Sequence, residues 1–267
     1  MINLLNAEFF KLKKSKSFKI VAILTVGFSM VTYLLYAVLQ RDLAGSPDTM
    51  TAAIRDAISN MDILYILQEM FAKSNVTLFV SIFICLFAIG DYSSGAVKNF
   101  VGKGLRREEL YLSRFLVTEF GVVILYLLTA LAVLAGGVVY FGTEQLSGAF
   151  WGDFFTYFSM QILYVTSYTA MILLVCELTR NMAAGILISI LGVLLFSPVI
   201  FQGIDLILNS LHVPFETSKF WLITQIGSCP VSDIPASFIV RSGIVAGVWL
   251  IVTLVAGMLY HAWQDVK

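Results

Sequence analysis

Glu108 and Glu109, followed by Arg114, come closest to an enzyme's constellation, because paired carboxylates beside a basic group are what an intramembrane protease needs to activate water. The spacing to the arginine is one residue too long for that motif, so the cluster reads as surface charge. His212 and His261, the two histidines, fall at opposite edges of apolar segments and cannot share a metal. Gly90-Asp91-Tyr92-Ser93-Ser94-Gly95 spaces its glycines like a phosphate loop, but Ala96-Val97 stands where that loop requires Lys and then Ser or Thr. No Gly-x-Ser-x-Gly nucleophile elbow occurs. Cys85, Cys176 and Cys229, an odd number at wide spacing, give neither a disulfide framework nor a metal cluster. Glu119 lies about one helical turn inside an apolar run, within reach of Lys or Arg at its edge, whereas an ion-coupled carrier buries more than one such group. Glu177 has Arg180 three residues on, a spacing suited to a local pair. The expectation is a chain that is not an enzyme and has no catalytic residue, metal or cofactor of its own.

The elements that carry these residues are membrane segments. Of 267 residues, 59% are hydrophobic and 13% charged, against about 45–50% and about 25% in soluble domains. Six spans are expected in a single transmembrane domain, at about 19–39, 72–90, 112–141, 154–177, 183–201 and 242–261. Ile20 to Leu39 is free of charge over a length that crosses a hydrocarbon core of about 30 Å. Pro198 breaks or kinks the fifth span locally. After Gly45-Ser46-Pro47, apolar residues from Met50 to Tyr65 recur at helical spacing, which predicts an amphipathic helix capped by Ser46. Residues 202–241 hold apolar patches between Pro214, Pro230 and Pro235, read as two short helices resting at or dipping into the outer leaflet.

Charge sets the expected orientation. Net charge is zero, so no global field steers nucleic acid, and none is expected as a partner. Twelve Lys and Arg lie in the set made of the N-terminus, the second connection, the turn after Glu177 and the C-terminus; the opposite connections, 40–71 and 202–241 among them, hold five. Both termini are therefore expected in the cytoplasm of a multi-pass plasma-membrane protein. Met1 to Ser17 is read as the start of the mature chain rather than a cleaved signal. Ile2, Leu5, Phe9 and Leu12 recur at helical spacing beside Lys11, Lys13, Lys14 and Lys16, the pattern of a short helix in the headgroup layer.

The conspicuous polar interruption, cytoplasmic in this reading, is 91–111, running on to Arg114. Ser94 to Val101 can form two helical turns with a face of Ala96, Val97, Phe100 and Val101, until Gly102 and Gly104 break it. A short helix pinned between two spans is a lever that a soluble partner can push. A plain charged loop explains Lys98, Lys103, Arg106, Arg107 and Arg114 equally well.

The opening AEFFKLKKSKSFKI, the segment GDYSSGAVKNFVGKGLRREELYLSRF and the six-span plan together resemble the permease subunit of a type-2 ABC exporter, similar to the bacitracin-resistance and lantibiotic-immunity permeases of Gram-positive bacteria. The motif-bearing part covers about 40 residues of the chain. The resemblance implies an N-terminal elbow helix containing Glu8 and Lys11, and a coupling helix near Ser94 to Val101. Asp91, Gly95, Lys98, Gly102 and Arg106 carry over to the ATPase-coupling segment, where Val97 and Phe100 supply the apolar face. It also implies outer-face helices between the last two spans, a second permease, identical or related, forming a dimer, and a separate ATP-binding subunit that holds ATP and magnesium. The function so implied is export of an amphipathic peptide, antibiotic or lipid-like substrate in contact with membrane lipid, and no substrate residue is identified. A membrane scaffold or sensor without transport is the alternative.

Overall fold

The computed structural model describes residues 2–44, 62–72, 75–93, 107–212 and 215–263, and among them the protein is all-α with no strand. In chain order the helices are α1 (Ile2–Lys14), α2 (Lys16–Ala44), α3 (Ile63–Ala72), α4 (Asn75–Ser93), α5 (Arg107–Phe141), α6 (Gly148–Thr179), α7 (Met182–Leu191), α8 (Gln202–Ser210), α9 (Leu222–Ser228) and α10 (Ala236–Trp263). Most of the amphipathic helix expected after Ser46, and all of Ser94 to Val101, lie outside the described residues.

Four of these helices are long and apolar enough to cross a membrane: α2 over Lys16–Tyr36, α5 over Glu108–Phe141, α6 over its whole length and α10 over Ala236–Ala262. They contain the expected first, third, fourth and last spans. The expected second span is divided. Of it, α4 supplies 19 residues ending in polar Asp91, Tyr92 and Ser93, and it reaches spanning length only together with α3 across a bend of 41°. The expected fifth span is also composite, because α7 gives way to a π-helical stretch, Gly192–Phe201, which runs on into α8. Pro198, which has no N–H to donate, sits within that stretch.

Local chemistry explains the boundaries. Ser15 separates α1 from α2, and its hydroxyl accepts from the Phe18 N–H at 3.2 Å, capping α2. Ser147 caps α6 in the same way through Phe150 N–H. At the other end of α6, Arg180 takes the left-handed conformation with φ 47°, and Asn181 caps α7 by accepting from Ala183 and Ala184. A two-residue turn thus sets α6 and α7 as antiparallel neighbours.

The central helix is α6, which packs on α4, α5, α7, α9 and α10. Tyr157, Gln161, Tyr164, Tyr168, Ile172 and Cys176 form its buried stripe at helical spacing. By contrast, 22% of the α2 window is buried against 56% for α6, so Ile23, Val31 and Leu34 of α2 are left to face lipid. Leu222, Ile223 and Ile226 of α9 are buried, which takes irregular backbone into the body of the protein. Long-range side chains satisfy it. The Gln161 amide donates to the Ile226 carbonyl at 3.1 Å, the Gln68 amide to Cys229 at 3.1 Å and the Trp249 indole to Phe220 at 2.8 Å. Non-helical backbone at membrane depth persists where protein supplies its hydrogen bonds.

Candidate functional site

The polar, basic interruption leaves from the carboxyl end of α4, and the residues that grip α4 define the site. On the α1 side, Leu4, Glu8 and Leu12 form a buried stripe at i, i+4, i+8. The ammonium of Lys11 donates to the Phe87 carbonyl at 3.1 Å, stands 4.0 Å from the Phe87 ring centroid and lies 3.6 Å from the Glu8 carboxylate. Phe9 of α1 meets Phe120 of α5 edge-on at 5.1 Å. Lys11 therefore joins α1 to the last turns of α4, with Glu8 beside it on α1.

Deeper in the bundle α4 is tied to α6 and α7. The Ser81 and Tyr168 hydroxyls are 2.6 Å apart. The Cys176 thiol donates to Cys85 at 3.5 Å, and Cys85 lies 3.5 Å from the Ser189 hydroxyl. All three cysteines are free and buried, so two that are distant in sequence meet as thiols. Asp91 lies in the last turn of α4, while Gly95, Val97, Lys98, Phe100, Gly102 and Arg106 lie outside the described residues.

Beside this grip, at the same end of the bundle, three ionisable side chains from three helices converge. The Arg114 guanidinium of α5 donates to Glu177 of α6 at 2.8 Å, and both side chains are at most 1% exposed. His261 Nδ1 of α10 lies 3.3 Å from the other Glu177 oxygen. Tyr111, whose ring centroid is 6.2 Å from that of His261, fills the notch left by Gly257, where a Cβ would collide with the phenol. Removing ions from water costs several kcal/mol apiece, so such a cluster persists where each charge is matched. Local spacing showed only Arg180 as a partner for Glu177; the partners found here are 63 or more positions away. The available signal was topological, since Arg114 begins one span while Glu177 and His261 end two others on the same side.

Among the described residues Glu119 pairs with no basic side chain. Its carboxylate accepts from the Thr166 hydroxyl at 2.7 Å, across the α5–α6 contact. Arg114 is five residues earlier, about 140° away around the helix, and so faces other neighbours. Glu108 is exposed at the start of α5, apart from the buried cluster. Among the described residues no group of His, Cys, Asp and Glu could hold a metal ion.

At the opposite end, Asp205 of α8 gathers the short 3₁₀ turn Thr217–Phe220. Its carboxylate accepts from Thr217 N–H at 2.5 Å, Thr217 hydroxyl at 2.6 Å and Ser218 N–H at 3.1 Å. Burial pushes its pKa up, but the hydrogen bonds from Ser218 and Thr217 outweigh it and hold the group at about 2.

The class these observations define is an all-α protein with several helices able to cross a membrane, carrying a polar segment on the end of a gripped helix. No family model and no curated protein matches the chain.

Proposed function

We propose that this chain is the permease subunit of a type-2 ABC exporter, resident in the plasma membrane with both termini in the cytoplasm. The observation that carries the reading is the grip on α4: Lys11 holds the Phe87 carbonyl and ring, so the N-terminal helix and the helix leading into the polar segment 94–106 move together. A partner ATPase, holding ATP and magnesium, pushes on Ser94 to Val101 through Val97 and Phe100. The push passes into α4 and from there, through Ser81–Tyr168 and Cys85–Cys176, into the central helix α6. Packed helices respond to such a push by switching between discrete arrangements rather than by bending continuously. In a dimer with a second permease, that switch alternates the access of a path for an amphipathic peptide, antibiotic or lipid-like substrate. Apolar faces such as Ile23, Val31 and Leu34 of α2 suit such cargo better than they suit an ion.

The experiment is co-expression with a candidate ABC ATP-binding subunit. The two are expected to copurify, and the permease is expected to change the ATPase rate. A chain that neither copurifies nor alters that rate is a scaffold or sensor rather than a permease.

A further inference from the structure

Between the end of α1 and the last turns of α4, an open cleft of 520 Å³ has one cationic and one apolar wall. Lys11, Lys14 and Ser15 line the first, while Phe10, Leu86 and Phe87 line the second. Phe10 is 64% exposed, and the Lys14 ammonium stands 5.8 Å from its ring centroid. The cleft opens at the start of the first membrane-crossing segment, Lys16–Tyr36, and the end of a span lies at headgroup depth. Lys13, Lys16 and Lys19 add to the positive charge nearby, and Glu8 is the one acidic residue in the first 40.

We propose that this cleft binds the headgroup of an anionic phospholipid. The phosphate sits against Lys11 and Lys14, and the start of an acyl chain lies along Phe10, Leu86 and Phe87. Charge complementarity selects an anion, and the apolar wall selects a lipid over free phosphate. The proposal stands on this cleft alone and holds whether or not the chain is a permease.

The test is the thermal unfolding midpoint of the delipidated full chain in neutral detergent, titrated with phosphatidylglycerol, phosphatidylcholine or inorganic phosphate. Phosphatidylglycerol is expected to raise the midpoint, and the other two are not. Lys14→Gln is expected to weaken the apparent affinity about five-fold, the equivalent of about 1 kcal/mol for a lysine near an anionic headgroup. Lys13→Gln removes the same charge from an exposed position that does not line the cleft, and is expected to keep the wild-type response. A Cβ at Gly90 meets open space, so Gly90→Phe fills the cleft without altering charge and is expected to abolish the response. The proposal is overturned by no shift, by an equal shift with phosphatidylcholine, or by a shift with phosphate alone. Equal losses in the two lysine variants, or a normal response in Gly90→Phe, overturn it as well.

Discussion

Replacing Glu177 with Leu removes the carboxylate to which the buried Arg114 guanidinium donates. Both side chains are at most 1% exposed and the N–H···O distance is 2.8 Å, so water is not at hand to take over the lost partner. Breaking a buried pair from one side costs about 3–5 kcal/mol, whereas replacing both partners with apolar groups of similar volume is often neutral. Glu177→Leu is therefore expected to lose about 3–5 kcal/mol, and Arg114→Met/Glu177→Leu to recover most of it. His261 extends the argument to a third helix, because its Nδ1 is 3.3 Å from the carboxylate. A double-mutant cycle between His261→Phe and Glu177→Gln is expected to show a coupling of about 0.5–3 kcal/mol. Chemical unfolding in mixed micelles, followed by tryptophan fluorescence, reads all of these variants. A single Glu177→Leu variant within about 1 kcal/mol of wild type, or a double variant no more stable than it, would refute the claim that a desolvated ion pair ties α5 to α6.

The Tyr111 notch predicts that Gly257→Val lowers stability by about 1–3 kcal/mol, since a buried phenol has no room to retreat; the same unfolding assay measures it. Asp205 predicts a pH response of defined sign. Its folded value of about 2 lies below the ordinary 3.8, so its stabilisation is complete above pH 3.8 and is lost as pH falls toward 2. Fluorescence of Trp221, which stacks on Phe201 at 4.7 Å next to this turn, is expected to stay constant from pH 7 to about 4 and to change below that. Asp205→Asn is expected to remove that acid transition.

The helical elements were legible in the sequence because the apolar runs at Ile20, Phe115, Phe154 and Ser242 match the length and composition of membrane-crossing helices. The caps at Ser15, Ser147 and Asn181 were not read from the sequence, and the one cap expected there, Ser46, lies outside the described residues. Span integrity was less legible. Apolar composition from Ala183 to Phe201 says nothing of the change of winding at Gly192. The Arg114–Glu177–His261 cluster was hidden because it is assembled from three helix ends, and one-dimensional spacing reports only neighbours within a turn or so. Glu119 shows the same limit, because its Thr166 partner depends on how α5 and α6 are rotated against each other. Lys11 was expected in an N-terminal elbow helix, and its bond to the Phe87 carbonyl, 76 positions away, was beyond the reach of local spacing.

The central claim is that force enters this chain through the segment that follows α4. Its most direct test is the rate of ATP hydrolysis by the partner subunit, in membranes, with the Val97→Asp/Phe100→Asp variant in place of the wild-type chain. The account predicts normal membrane insertion and a hydrolysis rate that no longer responds to this chain. A variant that inserts normally and still modulates the ATPase as wild type does would contradict it.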